Sequence, residues 1–130
     1  MKALDTPALL SLLEGNARLR AVLKRWRGEE IATTEANVLE LALLAARGPP
    51  RGKGHRAETI GRLRRRLTVL PIDSRAGEEA QRRLARGGPA ASPTILAMLA
   101  ALEVNGCEEL LTDDPRQIPG KWRFRVSKLG

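Results

Sequence analysis

The 130-residue chain has no tyrosine, one phenylalanine and two tryptophans. Base-stacking platforms of the kind that hold single-stranded nucleic acids are therefore poorly provided for. Its single cysteine, Cys107, supports neither an internal disulfide nor a zinc knuckle and suits a reducing compartment. With His55 as the only histidine, paired-histidine ribonuclease chemistry and a His-rich metal site are excluded. There is no Gly-x-Ser-x-Gly elbow, no Walker loop and no Gly-x-Gly-x-x-Gly turn after a strand. No apolar run approaches the roughly 18 residues of a membrane span. The N-terminus lacks the basic stretch, apolar run and cleavage site of a signal peptide, and carries Asp5 instead. A soluble protein of the cytoplasm, without a membrane partner, is expected.

What is present is hydrophobic content of 42%, enough for one core, and 23 Lys and Arg against 15 Asp and Glu. The length suits a single domain over residues 1–130. The formal charge of +8 and pI near 11 favour a polyanionic partner held by phosphate neutralisation.

The chain alternates short apolar segments with helical periodicity. Lys2-Ala3-Leu4 suits a strand, and Thr6 followed by Pro7 reads as helix cap and first position. Asn16 caps a second helix, to about Arg27. Glu30-Ile31-Ala32-Thr33 reads as a strand, and Thr34 caps a helix from Glu35 to about Ala46 whose apolar residues surround it on all sides, the mark of a buried central element. A turn-rich segment, Arg47-Gly-Pro-Pro-Arg51-Gly-Lys53-Gly, leads into a basic helix from about His55 to Leu67. Thr68–Ile72 reads as a strand; Asp73 or Ser74 caps the next helix and Ser92 the one after it, and a strand ends at Asp113-Asp114. Trp122-Arg-Phe124-Arg-Val126 alternates as a final strand. This is the pattern of an α/β fold with a short, mainly parallel sheet covered on both faces by helices.

An enzyme built from these residues must rest its chemistry on carboxylates. Asp5 lies at a strand-to-helix junction, where open α/β sheets bind ligands, although a capping aspartate would stand there too. Glu40 is the only ionisable residue between Glu35 and Arg47 in an otherwise apolar helix; buried, it needs an arginine or a metal as partner. Asp113 and Asp114 arrive at the same sheet edge, and hard Mg²⁺ or Mn²⁺ ions take such oxygen ligands. Arg47, Arg51, Lys53, Arg56, Arg62, Arg64, Arg65 and Arg66 form either a solvated face or a phosphate-binding flap for RNA.

Ala3-Leu4-Asp5-Thr6-Pro7-Ala8-Leu9-Leu10, Thr33-Thr34-Glu35-Ala36-Asn37-Val38-Leu39-Glu40-Leu41, Leu70-Pro71-Ile72-Asp73 and Leu110-Leu111-Thr112-Asp113-Asp114 together resemble a PIN domain, nearest to the VapC-type toxins of prokaryotic toxin–antitoxin pairs. The resemblance implies a three-layer fold and a Mg²⁺-dependent (or Mn²⁺-dependent) endoribonuclease, commonly a homodimer restrained by an antitoxin protein. It makes Asp5, Glu40 and Asp114 the catalytic metal carboxylates, with Thr6 and Thr112 as neighbouring hydroxyls. At the helix opening where the family brings a further acid, this chain reads Ala91-Ser92-Pro93-Thr94, so Ser92 and Thr94 stand where acids are expected. That departure leaves open a catalytically degenerate PIN domain serving as an RNA-binding or assembly module. A basic accessory protein of a ribonucleoprotein, unrelated to PIN domains, is the third reading.

Overall fold

The computed structural model describes residues 1–47, 53–88 and 91–129, with 53–56 described by their backbone alone. Five strands form one sheet: β1 (Lys2–Leu4), β2 (Ile31–Thr34), β3 (Thr68–Leu70), β4 (Glu109–Thr112) and β5 (Arg125–Lys128). Their order is β3-β2-β1-β4-β5, and every pairing is parallel. Parallel neighbours need crossovers. These are supplied by α1 (Thr6–Leu13) and α2 (Ala17–Arg25), α3 (Glu35–Arg47) and α4 (Lys53–Arg66), and α5 (Ser74–Ala85) and α6 (Pro93–Val104); a turn of 3-10 helix, Pro115–Gln117, precedes β5.

Because successive strand residues point to opposite faces, the central strand divides the core. Ala3 packs with Ala32, Leu99, Leu102, Leu110 and Phe124 on one side of the sheet, whereas Leu4 packs with Leu9, Leu19, Leu41 and Leu111 on the other. Capping side chains fix where helices begin: Asn16 accepts from the amide of Leu19, Asp73 from Ala76 and Ser92 from Ile95. Gly106, at φ 71°, turns the end of α6 into β4 through the left-handed region that glycine enters freely.

Several sequence expectations are corrected. The cap of α1 is Asp5 and not Thr6, which is its first helical residue. Residue α3 positions Leu39, Leu43 and Leu44 are 71%, 49% and 42% exposed, so that helix is not apolar-buried on all sides. Only Asn37, Val38 and Leu41 face inward, because the layer covers one stripe of the helix. The central buried helix is α6, in which Leu96 and Met98 through Leu102 are all buried. The last strand begins at Arg125, later than the Trp122–Val126 alternation suggests, because Trp122 and Phe124 stack on each other at 5.8 Å against the core. Among the described residues no helix is long and apolar enough to cross a membrane.

Candidate active site

The sheet order reverses at β1, which has β2 on one side and β4 on the other. The carboxyl ends of β1 and β4 therefore flank a topological switch point, where such sheets form a ligand crevice. Asp5 leaves β1 there. It is 5% exposed, and its carboxylate accepts a 3.0 Å hydrogen bond from the Ala8 amide. Burial pushes its carboxyl above the usual range; the charge of Asp113 pushes the same way, while hydrogen bonds from the Thr112 hydroxyl and Ala8 amide oppose them. Capping residue and cleft acid are thus one and the same.

Asp5, Thr6, Glu40, Thr94, Thr112, Asp113 and Asp114 all line one cleft of about 320 Å³. Four acids from three separate segments share it. Their states differ. Glu40 is exposed, which corrects the expectation of a buried carboxylate: its neighbours in sequence are apolar, but helical phase carries position 40 outward beside Leu39. Asp114 caps the 3-10 turn and is held by Arg116, whose Nε lies 3.1 Å and Nη2 3.3 Å from its two oxygens. That guanidinium holds the Asp114 carboxyl below its ordinary range. Asp113, rather than Asp114, is the acid whose charge reaches Asp5.

Two residues that hold side chains of the cleft escape sequence reading. Asn37 is 5% exposed and joins three elements: its Nδ2 donates to Thr6 Oγ1 at 3.1 Å and lies 3.1 Å from Met98 Sδ, while its Oδ1 accepts from Thr34 Oγ1 at 2.7 Å. A polar residue three positions after a helix-capping threonine is the signal that could have found it. Arg116 is the other, and its only signal is proximity to Asp114.

Among the described residues no three acid, histidine or cysteine side chains converge closely enough to enclose a metal ion. Thr94, exposed in the first turn of α6, supplies no carboxylate. A closed cage is therefore not what the donor set fits. It fits a hard divalent ion of the open type, which keeps several waters and takes one or two carboxylates together with substrate oxygens.

Of the basic side chains, Arg47, Arg62, Arg65 and Arg66 are exposed. Arg64 is engaged by Glu35, its Nη1 and Nη2 lying 2.9 and 2.6 Å from the two carboxylate oxygens. Arg51 and the middle of the turn-rich flap lie outside the described residues, as do the side chains of Lys53 and Arg56; the helix expected from His55 begins at Lys53.

The model of the PIN domain family matches residues 2–118. The chain belongs to the PIN-domain family. No curated relative matches the sequence. Solved structures that this PIN domain is similar to include VapBC2 from Rickettsia felis bound to a DNA fragment from its promoter, with a TM-score of 0.79 and 12% identity over 98% of this chain and 97% of that one. DNA-bound VapBC from Salmonella typhimurium gives a TM-score of 0.77 and 19% identity over 99% and 98%. VapC20 of Mycobacterium tuberculosis, described as a toxin that cleaves the sarcin-ricin loop, gives 0.61 and 18% over 85% and 87%. At these identities the likeness is one of fold, and it extends from β1 of this PIN domain to its last strand.

Proposed function

We propose that this PIN domain is an endoribonuclease of the VapC type, hydrolysing RNA phosphodiesters in the cytoplasm with a carboxylate-bound Mg²⁺ or Mn²⁺. The observation that carries the reading is the buried Asp5 at the switch point, charge-coupled to Asp113 in a cleft that Glu40 and Asp114 also line, in a chain of charge +8. Asp5, Glu40 and Asp114 would hold the ion, directly or through its waters, with Asp113 beside them in the same cleft. Once bound, such an ion polarises a phosphoryl oxygen and lowers the pKa of water.

The protein's own contribution is orientation and charge. The Ala8 amide and Thr112 hydroxyl fix the Asp5 carboxylate, and Asn37 fixes the neighbouring Thr6 hydroxyl. Arg47, Arg62, Arg65 and Arg66 neutralise the RNA backbone outside the cleft. The toxin–antitoxin complexes among the structural neighbours support an antitoxin protein as partner. The exposed Leu39, Leu43, Ile72 and Ile95 beside the cleft support a homodimer.

Incubating wild type and Asp5→Asn with total RNA and Mg²⁺ or Mn²⁺ tests the assignment. Cleavage is expected from the wild type, stopped by EDTA and absent from the variant, whose circular dichroism should be native. Equal cleavage by Asp5→Asn would overturn it. RNA bound in EDTA but never cut would instead make the cleft, with Thr94 in place of an acid, that of a binding module.

A further inference from the structure

A second concavity, about 850 Å³, lies between α5, the carboxyl end of α6 and the loop before β5, and shares no residue with the Asp5 cleft. Six cationic side chains line it against three carboxylates. Two of the three are already neutralised. Glu79 bridges Arg82 at 2.7 Å and Arg83 at 3.3 Å. Glu103, its side chain only 6% exposed, takes Arg83 at 3.4 Å, Arg123 at 3.5 Å and the Arg123 amide. Arg83 is also fixed from outside: its guanidinium lies 3.6 Å from the Trp122 ring centre and its Nη1 donates to the Lys121 carbonyl at 2.6 Å. Arg86 and Lys121, both exposed, pair with no carboxylate among the described residues. The wall is thus a preorganised guanidinium scaffold bearing unneutralised cations.

We infer that this cleft is a second binding site for the phosphate backbone of single-stranded RNA, separate from the Asp5 cleft. The inference rests on the RNA-cleaving reading above and adds to it where the strand is gripped. Backbone phosphates require clustered cations and no base readout, which is what the cleft offers. A peptide would need an apolar anchor pocket, and Val104 is the only large apolar residue among the described lining. The site is also within reach of the first. Thr94, in the Asp5 cleft, and Val104, in this one, belong to the two ends of α6. Ten residues of helix span about 15 Å along its axis.

The test is fluorescence anisotropy of a labelled single-stranded RNA across a salt series in EDTA, with wild type and the Arg86→Gln/Lys121→Gln variant. Neither side chain holds an ion pair among the described residues, so the fold should be unaffected, which circular dichroism checks. Each lost phosphate contact should flatten the log–log salt slope by about 0.7, and hence weaken binding roughly fivefold per contact near 0.1 M salt, or roughly 25-fold for both. Wild-type binding with an unchanged variant would overturn the second site and leave the proposed activity standing. No RNA binding by the wild type would overturn both. Labelled polyglutamate binding more tightly than the RNA at the same salt, and losing that binding in the Arg86→Gln/Lys121→Gln variant, would assign the cleft to an acidic protein and likewise refute the inference. A further arm, Arg62→Gln/Arg65→Gln on α4, should lower affinity additively if the two surfaces contact different phosphates.

Discussion

Replacing Asn37 by alanine should be among the most damaging single changes outside the hydrophobic core, and the reason lies in who loses a partner. The amide is buried, donates to Thr6 Oγ1 and accepts from Thr34 Oγ1. Truncation removes both bonds, worth about 1 kcal/mol each, and strands two buried hydroxyls, since Thr6 and Thr34 are 3% and 0% exposed. Thr34 would keep only its 3.3 Å bond from the backbone amide of residue 37, which uses its acceptor side. The sum is about 2–4 kcal/mol, and for a domain of this size about 3 kcal/mol lowers Tm by roughly 10 °C. Urea unfolding and thermal melts of Asn37→Ala measure it, with Leu39→Ala, at a position 71% exposed, as a control expected to stay within about 0.5 kcal/mol. Should Asn37→Ala also fall within about 0.5 kcal/mol of wild type, the network does not hold the cleft together and the argument fails.

Asp5→Asn should be at least as stable as wild type at neutral pH, because asparagine caps a helix about as well as aspartate and removes a buried charge. Since burial raises the Asp5 carboxyl, the folded wild type holds its proton longer than the unfolded chain, and its stability falls as pH rises through that window. The gap between the two proteins should therefore close on acidification; a variant less stable than wild type at neutral pH refutes this. Glu109→Gln should behave oppositely. Burial opposes ionisation of Glu109, yet Ser127, Arg125 and Lys2 together hold its carboxyl below the ordinary range. The variant should lose about 2 kcal/mol at neutral pH, with the difference vanishing as pH falls through the folded value, as read by denaturant melts. Thr94→Asp should tighten Mn²⁺ binding measured by calorimetry, since it adds a carboxylate to the cleft wall; unchanged affinity would show that position 94 does not reach the ion.

Helix starts were legible because their signals are local. Asn16 and Ser92 each cap where their residue types and the following periodicity place them, Asp73 is one of the two residues offered for α5, and at α1 the cap falls one residue before the expected Thr6. The PIN resemblance likewise rests on short strand ends, and those ends do meet: Asp5 and Asp113 are far apart in sequence yet interact, because β1 and β4 are neighbours. What failed was inference about surroundings. Glu40 reads as buried because apolar residues flank it in sequence, whereas burial is decided by which stripe of α3 another layer covers. The Asp114–Arg116 pair and the Asn37 network depend on a turn and on packing among α1, α3 and α6. No periodicity encodes either. The start of β5 was misplaced for a similar reason: alternation marks Trp122 and Phe124 as strand-like, but the ladder with β4 begins at Arg125.

The central position of β1 has a consequence for how the protein is made. One neighbour of β1, the strand at Ile31, follows soon after it in synthesis, but the other, at Glu109, follows much later in the sequence. Chains are built from the N-terminus, and a pairing this distant in sequence is entropically late. Asp5 emerges well before Thr112 and Asp113 and must wait for them. The cleft has no counterpart until β4 has been made, so a nascent molecule carries its acids apart before that point.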